Sequence, residues 1–232
     1  MNVQGYQKLT LLDFPERVAC TVFTGGCNLR CPFCHNASLV LTPRESENLE
    51  AEVLSYLAGR KGILEGVCIT GGEPLLQPDL SDFVKKVKDM GYSVKLDTNG
   101  SDPDALAALL STGMIDYVAM DIKSSPAGYE AAIGKAFPID RFRRSVELLR
   151  SSGLPHEFRT TLVKGIHRAE DLEEIGKWLA GEEKYFLQGF VDSGNLLGEG
   201  FEAFSAEEMQ EFLRVIRKYI PTAKLRGQEE GE

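Results

Sequence analysis

The alternation of short β-branched apolar runs with longer amphipathic stretches constrains this chain more than any other feature. Residues 18–24, Val-Ala-Cys-Thr-Val-Phe-Thr, are rich in β-branched and aromatic side chains and read as a strand. Residues 47–60 read as a helix and 66–69 as the next strand. Helical spacing puts Leu80, Phe83, Val84 and Val87 on one face of 79–90, and Gly91 stops that helix before a strand at 93–96. Asp102-Pro103 opens a helix through 110, with proline in the first turn. Strands follow at 116–120, 156–163 and 184–188, separated by helices at 140–150 and 169–179. Ser205, with Glu208 three residues on, forms a capping box for a last helix through 219.

Six strand-then-helix units imply parallel strands joined by helical crossovers. A closed eight-unit barrel takes about 250 residues, and this chain has 232. The pattern therefore fits a partial (β/α)6 open barrel or an open doubly wound sheet. We carry forward the partial open barrel, an α/β fold of parallel strands in one domain over 1–232. Residues 1–17 are expected to cover a sheet edge, and 226–232 to form a disordered tail.

Polar and unusual residues cluster where the strands end. Gly25, Gly26 and Cys27 follow the first strand, Thr70-Gly-Gly-Glu-Pro the second, Asp97-Thr98-Asn99 the third and Asp121-Ile122-Lys123 the fourth. Arg159 lies in the fifth and Gln188 closes the sixth. Parallel α/β proteins build their sites at the carboxyl ends of strands, so one site made from all six ends is expected.

Three of the five cysteines fall within eight residues, Cys27-Asn-Leu-Arg-Cys31-Pro-Phe-Cys34. An odd cysteine count without an export signal does not make a disulfide framework. Gly25, Gly26, Asn28 and Pro32 mark a loop, where three thiolates can converge on one iron–sulfur cluster. A cubane has four irons, so three cysteines leave one iron open to bind and activate a substrate. A structural zinc ion would need a fourth ligand, and His35 directly follows Cys34, where adjacent residues seldom both reach one small ion. Cys20 and Cys68 lie inside strands and read as small buried hydrophobes.

The net charge of −9 argues against a nucleic-acid phosphate backbone as partner. The densest basic cluster, Arg141-Phe142-Arg143-Arg144, reads as a solvated helix face, and His167 as a solvated loop residue. The longest apolar runs are too short to span a membrane, and nothing at the start resembles a signal peptide, which makes the cytoplasm the expected location.

The motif C-x3-C-x-aromatic-C, with Phe33 at the aromatic position, resembles the signature of the radical S-adenosylmethionine enzymes. His35-Asn36 after it is similar to the group that activates glycyl radical enzymes. Leu12-Asp13-Phe14-Pro15 is similar to the activating proteins of anaerobic ribonucleotide reductases. The resemblance implies a [4Fe–4S] cluster on Cys27, Cys31 and Cys34 and S-adenosylmethionine as cosubstrate. It implies one-electron cleavage to methionine and a 5′-deoxyadenosyl radical, with a flavodoxin or ferredoxin as donor. The radical would take a hydrogen from a glycine of a partner glycyl radical enzyme, which could reach it through the mouth of an open barrel.

The resemblance also assigns the strand ends. Gly71, Gly72 and Glu73 match the family's G-G-E-P element, which hydrogen-bonds the methionine amino group; two glycines also allow close backbone approach to a ligand. Asp97-Thr98-Asn99-Gly100 resembles a D-T-N-G element and Asp121-Ile122-Lys123 a D-x-K element. The two aspartates, with Thr98, would help hold a monovalent cation near the S-adenosylmethionine carboxylate, and Lys123 would offset the same charge. Arg159 is placed in the cofactor pocket. Formate-lyase activases carry a histidine beside the adenine near the end of the sixth strand; this chain departs from them there, and Gln188 or Phe190 is the expected contact in its place. Residues 124–138 and the Gly-rich stretch 189–200 are candidate docking segments or simple connections. A radical enzyme with a small-molecule substrate, and a non-catalytic iron–sulfur protein, remain the competing functions.

Overall fold

The computed structural model describes residues 1–41, 43 and 48–227. Eight strands form one sheet in chain order: β1 Val3–Thr10, β2 Ala19–Thr24, β3 Gly66–Gly71, β4 Ser93–Thr98, β5 Tyr117–Asp121, β6 His156–Leu162, β7 Tyr185–Gly189 and β8 Lys224–Arg226. The pairs β2–β3, β3–β4, β6–β7 and β7–β8 are parallel. The helices are α1 Ala37–Leu41, α2 Leu49–Ala58, α3 Leu80–Asp89, α4 Pro103–Ser111, α5 Tyr129–Ile133, α6 Ile139–Ser152, α7 Ala169–Trp178 and α8 Ala206–Arg217.

Two expectations about the ends are corrected. Residues 3–10 do cover an edge, but as a strand antiparallel to β2, with register shifts on both sides of Gly5–Gln7. Its polar, glycine-containing sequence, Val-Gln-Gly-Tyr-Gln-Lys-Leu-Thr, carries little strand signal, so the free edge of β2 supplies the order. Arg226 belongs to β8, a three-residue strand too short for a periodic pattern. The rest of the expected tail, residues 228–232, and the start of the 47–60 helix lie outside the described residues.

The chain forms two compact units. The first comprises Met1–Asn28, Ser38–Ala119 and Asp140–Pro155; the second comprises Leu29–Ala37, Met120–Ile139 and the described residues from His156 on. In the first unit, Cys20, Val22, Val67, Ile69, Val94 and Leu96 alternate along β2–β4 on one fully buried face. α3 buries the predicted stripe of Leu80, Phe83, Val84 and Val87, each contributing on the order of 1.5–3 kcal/mol relative to exposure. The opposite face of the same strands carries Thr21, Cys68 and Lys95 in register. Asp13 accepts a hydrogen bond from the Thr21 hydroxyl at 2.5 Å, and Phe14 packs with Ala19 and Tyr117.

In the second unit, Phe158, Leu162, Tyr185 and Leu187 of β6 and β7 are buried, as are Leu172 and Ile175 of α7 and Met209, Leu213 and Ile216 of α8. Helix ends follow the sequence signals. Asp102 Oδ1 accepts from the Ala105 amide at 3.1 Å, and Ser205 and Glu208 exchange backbone-to-side-chain bonds of 3.2 and 2.6 Å.

Candidate cofactor site

In the first unit, the loop that carries Cys27 is joined to the G-G-E-P turn mainly through backbone. Gly72 N–H donates to the Thr24 carbonyl at 2.9 Å, and Glu73 N–H to the Gly26 carbonyl at 2.8 Å. A Cβ on Gly72 would lie 1.9 Å from the Gly26 oxygen, and one on Gly71, whose φ is +115°, would lie 2.4 Å from the Thr24 nitrogen. The two glycines are therefore required by the protein's own backbone, independently of any ligand.

Glu73 is 1% exposed and is the hub of this side. Its carboxylate accepts from Leu75 N–H at 3.1 Å, the Thr98 hydroxyl at 2.7 Å and Asn99 N–H at 2.7 Å. A buried carboxylate is tolerated because three donors replace its water. Asn99 then donates its side-chain amide to Cys27 Sγ at 3.7 Å and to Asn28 Oδ1 at 3.2 Å. The D-T-N-G turn is held from behind by α6, where Ser145 Oγ donates to the Gly100 carbonyl at 2.7 Å and Arg141 Nε to the Ser101 carbonyl at 2.8 Å. The cluster 141–144 is thus not simply a solvated face, since Phe142 is fully buried and Arg141 braces the site turn. Asp97 is ion-paired with Lys95, a lysine only 1% exposed.

In the second unit, Cys31 and Cys34 sit on a tight turn in which Cys34 N–H donates to the Cys31 carbonyl at 3.0 Å. The turn is clasped by distant loops. Arg30 N–H donates to the Ile133 carbonyl at 2.9 Å, Gly198 N–H to the Pro32 carbonyl at 2.7 Å, and Ser193 Oγ to the His35 carbonyl at 3.1 Å. The Gly-rich stretch at 189–200 therefore cradles the cysteine turn. The other candidate docking segment contains α5 and lines a cavity of about 490 Å³ with Tyr129, Glu130, Phe137 and Pro138. Phe33 is buried and meets the His167 ring edge-on, with centroids 6.1 Å apart.

His167 is not a solvated loop residue. It is 3% exposed. Val163 N–H donates to its Nδ1 at 3.1 Å, which leaves Nε2–H to donate to the Lys123 carbonyl at 2.8 Å. Burial holds its pKa below the usual imidazole value. Asp121 Oδ2 accepts from Lys123 Nζ and Oδ1 from Arg159 Nε, both at 2.9 Å. Burial alone would raise the Asp121 carboxyl, but Arg159 and Lys123 outweigh it and hold the group well below the usual carboxylate range. Burial would likewise discharge Lys123; Asp121 and the sulfurs of Cys31 and Cys34 prevent this and hold its pKa above the ordinary lysine value. Ile122 is fully buried; its N–H donates to the Arg159 carbonyl at 2.8 Å, and its carbonyl accepts from Thr160 Oγ1 at 2.8 Å.

Gln188 is half-buried and in register with Thr161 and Arg226, while Phe190, just past β7, is buried. His35 is exposed. The sequence reading missed several residues of these surroundings: Lys95, Arg141, His167, and Arg226, whose guanidinium forms two bonds to the buried Glu157 and lies 3.8 Å from the Phe186 ring centre. A lysine two residues before an aspartate in a strand, as at Lys95 and Asp97, was the one available signal.

No disulfide joins any of the five cysteines, and Cys20 and Cys68 are fully buried. Burial pushes the Cys20 thiol up to about 12. Only Cys27, Cys31 and Cys34 stand on a loop, with an amide hydrogen bond at one sulfur and an ammonium in electrostatic reach of the other two. Loop thiolates are the donors that an iron–sulfur cluster takes. Among the described residues, no three His, Cys, Asp or Glu side chains gather as a site for a metal ion.

An α/β sheet with three cysteines on the loop after its first parallel strand, and polar turns at successive strand ends, suits an enzyme that carries a metal–sulfur cofactor. The comparison with known families makes this specific: the radical SAM superfamily model matches residues 21–179, and the chain belongs to that superfamily. The cofactors are accordingly a [4Fe–4S] cluster and S-adenosylmethionine. A protein of Methanocaldococcus jannaschii, named for glycyl-radical enzyme activation, is 28% identical over 97% of this chain and 95% of its own. The pyruvate formate-lyase-activating enzyme of Clostridium pasteurianum is 32% identical over 80% of each chain. A GTP 3′,8-cyclase relative from Thermococcus kodakarensis is 31% identical over 63% of this chain and 48% of its own. Among solved structures, Streptococcus suis SuiB bound to its precursor peptide SuiA matches 90% of this chain with a TM-score of 0.71 and 14% identity. This chain spans about half the length of that structure, 48%, and the likeness shows the fold. No helix among the described residues is long and apolar enough to cross a membrane.

Proposed function

We propose that this protein activates a glycyl radical enzyme by removing one hydrogen from the α-carbon of a glycine, and that the partner is an anaerobic ribonucleoside-triphosphate reductase. The observation that carries the reading is the near end-to-end similarity to a protein named for that activation. The cyclase relative is matched over only 48% of its own length. Leu12-Asp13-Phe14-Pro15 supports the choice of reductase.

Cys27, Cys31 and Cys34 would hold the cluster. Phe33, His35, Gly71, Gly72, Glu73, Asp97, Asn99, residues 121–123, Arg159, Gln188 and Phe190 are the residues proposed for S-adenosylmethionine. When bound, the two cofactors supply reductive cleavage of a sulfonium–carbon bond, the source of a radical that can attack an unactivated C–H bond. The chain's own residues provide the mount. Asn99 directs an amide N–H at the Cys27 sulfur, which favours added negative charge there. Glu73 fixes the turn that presents Asn99. Lys123 keeps a positive charge close to Cys31 and Cys34. The electron would come from a flavodoxin or ferredoxin in the cytoplasm.

The test is anaerobic reconstitution, reduction, and addition of S-adenosylmethionine with a candidate partner. 5′-Deoxyadenosine together with a glycyl radical EPR doublet is the expected result. Cleavage with no protein radical on any candidate would overturn the activase reading in favour of a small substrate. An intact cluster with no cleavage would overturn radical chemistry altogether.

A further inference from the structure

We infer that the cation beside Asp97 is the protein's own Lys95 ammonium, and that S-adenosylmethionine binds here without a monovalent metal ion. The inference rests on the reading that the strand ends hold S-adenosylmethionine, and it departs from the expected ion on Asp97, Thr98 and Asp121. Lys95 and Asp97 lie on the same side of β4. Lys95 is 1% exposed, and its Nζ donates to Asp97 Oδ1; its other polar neighbour is Cys68 Sγ at 3.8 Å. The buried Lys95 ammonium and the Asp97 carboxylate form an ion pair, each offsetting the desolvation of the other. An alkali ion on that carboxylate would stand next to a fixed like charge.

The remaining candidate ligands are engaged as well. The Thr98 hydroxyl donates to Glu73 and accepts from Gly100 N–H at 3.1 Å. In the second unit, both Asp121 oxygens are taken, one by Lys123 and one by Arg159. Within each unit the aspartate is matched by built-in cations: Asp97 by Lys95 in the first, and Asp121 by Lys123 and Arg159 in the second. The same electrostatic role is met without an ion being recruited.

The experiment measures S-adenosylmethionine affinity of the cluster-loaded protein by anaerobic equilibrium dialysis. Sodium, potassium and N-methylglucamine chlorides are compared at one ionic strength of about 0.1 M, so that screening is constant. The expected result is a Kd that differs by less than about twofold among the salts. Lys95→Met should weaken binding about tenfold in N-methylglucamine, a change of about 1.4 kcal/mol, and potassium or ammonium should restore it. A wild-type Kd that rises about tenfold when alkali ions are withdrawn overturns the inference, and the salt comparison alone decides this if the variant fails to fold. A variant as tight as wild type in every salt, or equally weak in every salt, overturns the assignment to Lys95. Absence of binding in all salts with the cluster intact instead refutes the underlying S-adenosylmethionine reading.

Discussion

The chain mounts Cys27 and the Cys31–Cys34 turn by different means. Around Cys27 the contacts are backbone and short neutral or singly charged groups: Gly72 on Thr24, Glu73 on Asn99, and Asn99 on the sulfur. Around Cys31 and Cys34 the turn is held by the 193–198 segment and by Phe33 against the His167 ring, with the Lys123 ammonium in electrostatic reach of both sulfurs; Asp121 and Arg159 hold Lys123 in turn. The first mount is fixed by sterics, which tolerate little change. The second is fixed by charge balance and hydrogen bonding, which respond to pH and salt.

The largest effect should come from the steric mount. Gly72→Ala places a methyl group against the Gly26 carbonyl, and a loss of at least about 3 kcal/mol in denaturant titrations is expected. A loss below 1 kcal/mol would show that the turn can shift, and would erase the distinction. Glu73→Gln replaces an ionised acceptor of three hydrogen bonds with an amide whose N–H2 faces donors. A loss of about 2–3 kcal/mol is expected, insensitive to salt.

The ionic mount should give smaller, condition-dependent effects. Asp121→Asn leaves Lys123 and Arg159 without their carboxylate, and Asp121 is partly solvated, so a loss of about 1 kcal/mol is expected. The wild-type contribution of Asp121 is present above the unfolded carboxyl pKa of about 3.9 and is lost as pH falls further. Equal losses for Glu73→Gln and Asp121→Asn at all salt concentrations would break the comparison.

The smallest effect concerns His167. Its folded pKa lies below the unfolded value of about 6.5, so the unfolded chain takes up the proton first. Stability of the cluster-free protein should be constant above that value. It should fall by at most about 1.4 kcal/mol per pH unit below it, until the folded pKa is passed. His167→Gln should reduce this slope in thermal melts run from neutral pH to pH about 5, leaving the share of His35, which desolvation also holds below the usual imidazole value. An unchanged slope would move the acid sensitivity to another group.

The steric mount was legible because its parts are local motifs with fixed backbone demands: Gly-Gly after β3, Asn-Gly after β4, and a cysteine loop after β2. Regular α3 and the Ser205 cap were legible for the same reason, since spacing alone determines a helix face and an N-terminus. The ionic mount was only half legible. Asp121 and Lys123 share a strand side, but Arg159 reaches them from 38 residues away, and nothing local in its sequence names that partner. His167 was misread because a histidine in a polar loop carries no sign of the carbonyl it will meet. β1 and β8 escaped notice because their order comes from the neighbouring strand rather than from their own residues.

The account stands on Cys27, Cys31 and Cys34 leaving one iron open. The most direct measurement is the EPR spectrum of anaerobically reconstituted, reduced protein, recorded before and after addition of S-adenosylmethionine. A [4Fe–4S]⁺ signal whose g-values change on addition, and which is lost in Cys31→Ala, is the predicted result. A signal indifferent to S-adenosylmethionine, or a protein that retains zinc in place of iron, would contradict it.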